Sequence, residues 1–437
     1  MRRALAVLFL AAFCMSAQEL GPGVLTLKHI RDGVGQALAR LPDCMCVETV
    51  DRFWKPAGAG LRPPDRMDRV VLQILFSGDK ELFASPGDTR WETDPKAFLA
   101  SGLIGNGIFA LFLHTVFLNN VSVIQYKGEE TVAGRREVRY DFSISSLSSG
   151  YMVHRGSASG IVAMRGSFWA DPQTYDLRRL EFHGEQIPPA LLYTDIVTTI
   201  SYGRVRIGGR DVLLPQTAVV RTTDADGEGR RNDIEFTHCQ GFATESTLSF
   251  GAEPGPVAGQ PKTPAPPPPE GTVPAGLHIN IALSAPLGED AAVGSLLEGR
   301  VVGAVLQKGK VLIPDGAAIK GRLRRLEGYS DAGDYFVVAL EFTRIETPAA
   351  NLRFYAELQG LERLEGVEMS HQTSSTTEGE FVAPGQSAKW SMTDKVSIWT
   401  HEVPGVGTFF VRGSQLSLPA GFRTVWTTLP YPKSAKQ

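Results

Sequence analysis

A chain of 437 residues is longer than one hydrophobic core usually organises and implies roughly two or three domains. Its 43% apolar content is that of a folded globular protein, which excludes a wholly disordered chain. A net charge of −3 without a long basic run removes the electrostatic reason to expect a nucleic-acid partner.

The chain begins with Met1-Arg2-Arg3, an apolar stretch from Ala4 to Phe13, and small residues at Ser16 and Ala17. That is the layout of a secretory signal peptide, residues 1–17, with cleavage expected near Ala17-Gln18. The apolar stretch is about ten residues where a bilayer-spanning helix needs roughly twenty, so no permanent span is expected in the mature chain. Cys14 follows the bulky Phe13, which disfavours lipidation. The expected location is therefore the periplasm or the outside of the cell.

Removing the signal leaves Cys44, Cys46 and Cys239. In an oxidising compartment the simplest arithmetic is one bridge and one leftover thiol. A bridge within Cys44-Met45-Cys46 would be strained, so a long-range bridge to Cys239 is expected. Cys46 is preferred to Cys44 as its partner, although spacing leaves both open. No second C-x-x-C or paired histidine accompanies these cysteines, so no metal is expected there.

Leu27, Ile30, Val34, Leu38 and Leu41 recur at helical spacing and stop at Pro42, which predicts an amphipathic helix. Strands are predicted around Cys46 to Phe53 and Val70 to Phe76. Leu103 to Leu118, an apolar stretch broken by Gly105, Asn106, Gly107 and His114, reads as a buried or ligand-covering helix.

From Val121 the pattern becomes a run of antiparallel hairpins. Val121 to Tyr126 and Glu137 to Ile144 flank Gly134-Arg135-Arg136, and Gly160 to Trp169 and Leu177 to Phe182 flank Asp171-Pro172-Gln173-Thr174. Val197 to Ile207 and Val212 to Leu214 flank Gly208-Gly209-Arg210. Gln216 to Thr222 and Asp233 to His238 flank an Asp- and Gly-rich loop. One or two helices against such a curved sheet is the expected arrangement.

The segment GSFWADPQTYDLRRLEF, Gly166 to Phe182, together with this order of elements, resembles the LolA/RseB-like half-barrel proteins over most of residues 25–250. In that family the concave sheet encloses an apolar cavity for acyl chains. The resemblance implies a half-barrel domain over residues 21–250. A bridge between Cys46 and Cys239 is outside the usual carrier pattern and counts against a simple carrier role.

Composition changes most abruptly over residues 251–272, GAEPGPVAGQPKTPAPPPPEGT, where proline density favours an extended, semi-rigid linker. Beyond it, residues 273–432 form a second module. Pro274-Ala275-Gly276, Pro314-Asp315-Gly316 and Pro419-Ala420-Gly421 repeat a P-x-G pattern in which Pro fixes φ before a turn and Gly permits positive φ within it. With VLIPDGAAIKG, Val311 to Gly321, this is similar to the small β-barrel of TrbI-type conjugation-channel proteins over roughly residues 273–345. Those proteins carry a membrane-inserting hairpin. Here Glu362 to Lys395 is polar, reads as an exposed loop, and argues against a pore.

No catalytic constellation emerges. Gly156-Ser157-Ala158-Ser159-Gly160 has Ala where a nucleophile elbow needs Ser, and His401-Glu402 has Gly405 where a zinc motif needs its second His. Gly105-Asn106-Gly107 lacks the rest of a phosphate fingerprint, and the eight histidines are scattered. Asp224, Asp226 and Glu228 have oxygens that could suit calcium, but the spacing is incomplete and Arg230-Arg231 follows, so a solvated hairpin loop is the stronger reading. Glu181, His183 and Glu185 alternate along a strand, as on an ordinary wet face.

The predicted fold class is mainly β with a few helices (α+β), an N-terminal curved antiparallel sheet covered by helices and a C-terminal small β-barrel. The predicted function is non-enzymatic and without cofactor: an envelope binding protein holding a hydrophobic small molecule or lipoprotein acyl chain. The alternative is an assembly protein that engages an envelope protein through both modules.

Overall fold

The computed structural model describes residues 22–241 and 270–432, apart from 61–63, 79, 89, 94–97, 99–106, 156–157, 331–333, 365, 370, 373–380 and 383–403. The segment read as a signal peptide, residues 251–269 of the expected linker, His401-Glu402 and most of Glu362 to Lys395 lie outside the described residues. The fold is mainly β, with curled sheets and few helices.

Helix α1 spans Pro22–Ala39. Proline suits its first position because the missing N–H would have no partner there. Ile30 and Val34 are buried, and Leu27, Leu38 and Leu41 pack against the core beside them.

Twelve strands follow: β1 Cys44–Lys55, β2 Asp65–Ser77, β3 Lys80–Ala84, β4 Val123–Val132, β5 Arg135–Ile144, β6 Met152–Arg155, β7 Ala158–Ile161, β8 Ala163–Ala170, β9 Leu177–Glu185, β10 Tyr193–Ile207, β11 Arg210–Asp224 and β12 Gly229–Gly241. Ten of them form one sheet in the order β3-β2-β1-β12-β11-β10-β9-β8-β5-β4, while β6 and β7 pair separately. The chain thus enters the sheet at its third position with β1, runs to the near edge at β3, and returns from the far edge at β4.

Two of the predicted strands, Val212 to Leu214 and Gln216 to Thr222, are one continuous strand, β11. Pro215 does not interrupt it because it lies opposite Tyr202, where the register with β10 shifts. A bulge tolerates the missing N–H that a regular ladder would not.

A disulfide joins Cys46 to Cys239 across the neighbouring strands β1 and β12, over a sequence separation of 193, and Cys44 stays free and buried. The register of this pair shifts between Met45 and Val47, and His238 takes a positive φ of 51° beside the bridge. Replacing both Cys46 and Cys239 with serine is expected to lower unfolding stability by about 2–4 kcal/mol. Comparing urea midpoints of the oxidised protein and the double variant checks this, and equal midpoints would remove the bridge from the stability account.

The second module is another ten-stranded sheet. Tyr335–Glu346 is flanked by Ala318–Tyr329 and Val406–Arg412, and the ladder continues through Leu296–Val302, His278–Leu283, Arg423–Thr428 and Ala356–Leu361. The sheet curls back on itself, so that Gly407 on one strand sits against Leu358 and Trp426 on others. Glu270–Thr272, counted above with the linker, instead forms a strand parallel to Asn351–Arg353. Gly276, Gly316 and Gly421 of the three P-x-G segments have φ of 84°, 75° and 87°, the left-handed conformation such turns require.

The two modules pack against each other. Strand β3 pairs only with Gln73 to Ser77 of β2, which leaves the edge of β2 open at Arg69 to Val71. Val293 of the second module fills it: Val71 N–H donates to Val293 O at 3.0 Å, and Val293 N–H to Arg69 O at 2.8 Å. Arg322 reaches across to the Pro86 carbonyl at 2.9 Å.

Between the sheets lies a charged cluster. Arg52 Nε donates to Asp68 Oδ1 at 2.6 Å, and Arg52 Nη2 lies 3.3 Å from Glu327 Oε1. Arg325 donates to Glu327 Oε2 at 2.8 and 2.6 Å, and the Tyr329 hydroxyl donates to the same oxygen at 2.8 Å. Arg52, Asp68, Arg325 and Glu327 are all buried, beside Trp54, Met67, Tyr335, Val337 and Phe410. Burial disfavours the Arg52 charge, but Asp68 and Glu327 outweigh it and hold the guanidinium protonated.

Candidate functional site beneath the curved sheet

Strand alternation determines what faces the space under the first sheet. Along β1 every second residue, Cys44, Cys46, Glu48, Val50, Arg52 and Trp54, is buried. Glu48 therefore occupies a position that the pattern assigns to apolar side chains. It lies opposite Leu72 of β2 and Phe236 of β12.

The covering layer is α1 and the apolar stretch of the sequence. Within the latter, α2 at Leu111–Leu113 runs into a π-helical turn at His114–Leu118, and Phe109, Phe112, Val116 and Phe117 are buried. Phe109 stacks near Phe76 and edge-on to Phe236, while Phe112 meets Phe182 and Phe117 meets Phe168. Aromatic contact between this segment and the concave sheet gives the interior much of its filling. Gly105 and Asn106 lie outside the described residues.

Glu81 of β3 fixes the start of this cover. Its carboxylate accepts hydrogen bonds from Gly107 N–H at 2.7 Å and Phe109 N–H at 2.8 Å. Desolvation raises its pKa against those two bonds. Replacing Glu81 with alanine is expected to speed amide exchange at Gly107 and Phe109 by more than tenfold, roughly the loss of two charge-assisted bonds. Hydrogen-exchange mass spectrometry of the segment tests this; unchanged protection would mean that packing alone holds the cover.

Three polar atoms in this region have no hydrogen-bond partner among the described residues: both Glu48 carboxylate oxygens and the Tyr202 hydroxyl. Glu48 is 0% exposed and Tyr202 5%. Burial, then the neighbouring Glu81, push the Glu48 carboxyl up to about 8, and the same two causes raise the Tyr202 phenol. Unsatisfied groups of this kind are rare in folded proteins and cost about 1–3 kcal/mol each. His114 Nε2 on the cover is likewise buried and unpartnered.

Where α1 meets the β10–β11 hairpin, a cavity of about 630 Å³ opens. Its wall mixes Val34, Ala37, Leu177, Val212 and Leu213 with the charged side chains of Arg40, Asp176, Arg204, Arg210 and Asp211.

The other residues singled out in the sequence lie elsewhere. Glu181, His183 and Glu185 line a shallow depression of about 510 Å³ on the outer face. Glu181 pairs with Arg179, Glu185 with Arg165 at 2.6 Å, and His183 faces Asp195 at 3.5 Å. Asp224, Asp226 and Glu228 do bring oxygens within 4.8 Å of one another. Arg155 of β6 already holds Asp224 at 2.8 Å and Arg230 holds Glu228 at 2.6 Å, so two of the three carboxylates are paired with arginines. Asp171 organises its turn by accepting from Gln173 and Thr174 N–H at 2.8 and 3.0 Å, and these bonds with Arg178 lower its carboxyl to about 2.

Sequence reasoning missed Glu48, Glu81 and Tyr202. A signal was present for Glu48, whose position falls in phase with Cys44, Cys46 and Val50 on the buried face of a strand. Glu81 and Tyr202 gave none.

Among the described residues no helix is long and apolar enough to cross a membrane. No protein-family model matches the sequence, and no curated protein matches it. Solved structures similar to the chain include a DUF1329 family protein from Desulfovibrio piger, at 13% identity over 52% of this chain and 95% of the other, with a TM-score of 0.29. A LolA superfamily protein from Nitrosomonas europaea is 12% identical over 51% of this chain and 94% of its own, with a TM-score of 0.26. A domain assigned to outer membrane lipoprotein sorting, from Vibrio parahaemolyticus, is 11% identical over 49% of this chain and 90% of its own, with a TM-score of 0.26.

Proposed function

We propose that this protein is an exported, non-enzymatic binding protein of the bacterial envelope that holds the apolar chain of a lipid or lipoprotein beneath its first sheet. The observation that carries the reading is a concave apolar face roofed by α1 and the 107–118 segment, with a cavity of about 630 Å³ at its margin. Its volume lies within the range of about 300–1,000 Å³ common for ligand pockets, and charged side chains share its wall with apolar ones. The roof is a separate segment pinned at one end by Glu81, so it can lift without breaking the sheet ladder.

The test is lipid extraction of the purified mature protein followed by mass spectrometry, with titration of a fluorescent fatty acid. Co-purified lipid or saturable binding supports the reading. Absence of both overturns it.

A second reading has its own support. The aromatic filling under the roof and the buried contact between modules suit an assembly protein whose surfaces engage another envelope protein. Cross-linking in cells that captures one defined envelope partner, with no lipid bound, would favour it.

A further inference from the structure

The cavity between α1 and the β10–β11 hairpin has an apolar floor under a charged rim. Val34, Leu177 and Val212 form the floor and are buried. The rim is gathered from separate stretches of the chain: Arg40 just past the end of α1, Asp176 ahead of β9, Arg204 within β10, and Arg210 and Asp211 at the start of β11. On the α1 side the cavity is bordered by Gly33, where a Cβ would meet nothing nearer than the Tyr175 carbonyl at 4.0 Å, so that side is unfilled.

The charges of the rim do not cancel. Arg204 donates to both carboxylate oxygens of Asp176, at 2.8 and 2.6 Å, and this fork satisfies the pair internally. Asp211 lies opposite Arg206 in the β10–β11 ladder, so a cation from outside the cavity stands beside it. Arg40 and Arg210 are left over: neither side chain has a hydrogen bond or ion pair among the described residues, and both line the cavity. On an open surface such arginines need no partner, because water solvates them. Here they border an apolar floor, where guanidinium N–H groups can meet an oxyanion while the attached hydrocarbon leaves water. A cationic head would face two unpaired guanidiniums and is disfavoured.

We propose that this cavity selects amphiphiles with an oxyanion head, a carboxylate or a phosphodiester, held by Arg40 and Arg210 with the adjoining hydrocarbon over Val34, Leu177 and Val212. The inference rests on the binding function proposed above and specifies the headgroup of its ligand.

Isothermal titration of the full mature chain with decanoate, decanoyl-lysophosphatidylglycerol, decanol and decyltrimethylammonium at neutral pH tests the proposal. Wild type is expected to bind at least one of the two anions about tenfold tighter than decanol, the worth of one charge-assisted contact, and the tighter anion identifies the head. Arg40→Gln and Arg210→Gln should each cut that preference severalfold, and together abolish it while leaving decanol affinity unchanged. Both arginines are exposed and unpaired among the described residues, so these variants keep the fold. Gly33→Phe, which fills the cavity from α1, should weaken anion binding more than tenfold. Alcohol or cation bound as tightly as the anions, a preference that survives the double variant, or undiminished anion binding in Gly33→Phe overturns the headgroup site and leaves the binding function standing. No binding of any of the four overturns both.

Discussion

Glu327→Ala is expected to reduce unfolding stability by about 3–5 kcal/mol, because removing one partner of a buried ion cluster leaves charge behind without compensation. Glu327 is completely buried and receives Arg325, Arg52 and the Tyr329 hydroxyl. Without its carboxylate, two guanidiniums lose a shared counter-charge in a setting of Trp54, Met67 and Phe410. A variant at the exposed pair Arg231–Asp233, 46% and 34% exposed, supplies the control; Arg231→Ala should cost no more than about 1 kcal/mol.

The same substitution bears on cooperativity. Arg52 and Asp68 belong to the first sheet, Arg325 and Glu327 to the second. Wild type is expected to melt in one transition and Glu327→Ala in two, read by calorimetry. A single transition at an unchanged temperature in the variant would show that the cluster neither stabilises nor couples the modules.

The second large effect concerns pH. Glu48 has an ordinary carboxyl in the unfolded chain and one pushed up to about 8 in the folded protein. Its contribution is fully present below about 4.5 and is lost as pH rises through about 8, since ionising it in the interior favours the unfolded state. The loss amounts to at most about 4–5 kcal/mol at 1.4 kcal/mol per unit. Thermal midpoints at pH 5 and pH 9 should diverge in wild type and draw together in Glu48→Gln.

Two neighbours shape that profile. Glu81 titrates in the same direction, so some alkaline decline remains in the variant. Cys44, raised to about 11 by burial and then by Asp43, enters only above that range. An undiminished difference between the two midpoints in Glu48→Gln would assign the decline to Glu81.

Much of the fold was legible because it is governed by short-range pattern. The helix at Pro22–Ala39 follows from leucines and valines at helical spacing, and Cys44–Lys55 from strict alternation. The hairpin at Gly208-Gly209 forms where two residues of positive φ, 55° and 80°, join strands of matching length. Pro215 misled because its consequence depends on the opposite strand. The contact between modules was illegible for a related reason: Arg52 and Glu327 are 275 residues apart, and each reads alone as an ordinary strand charge. Glu48 was discoverable by phase, but Glu81 reaches its neighbourhood only because β2 sets β3 two strands away from β1.

The joint at Val293 gives the second module a role in solubility. An uncovered stretch of strand edge is a template for another chain, and β2 has one at Arg69 to Val71 wherever β3 stops short. Val293 occupies that template from within the same molecule. A chain ended after Gly241 would leave the backbone of Arg69 and Val71 without the partner that Val293 supplies.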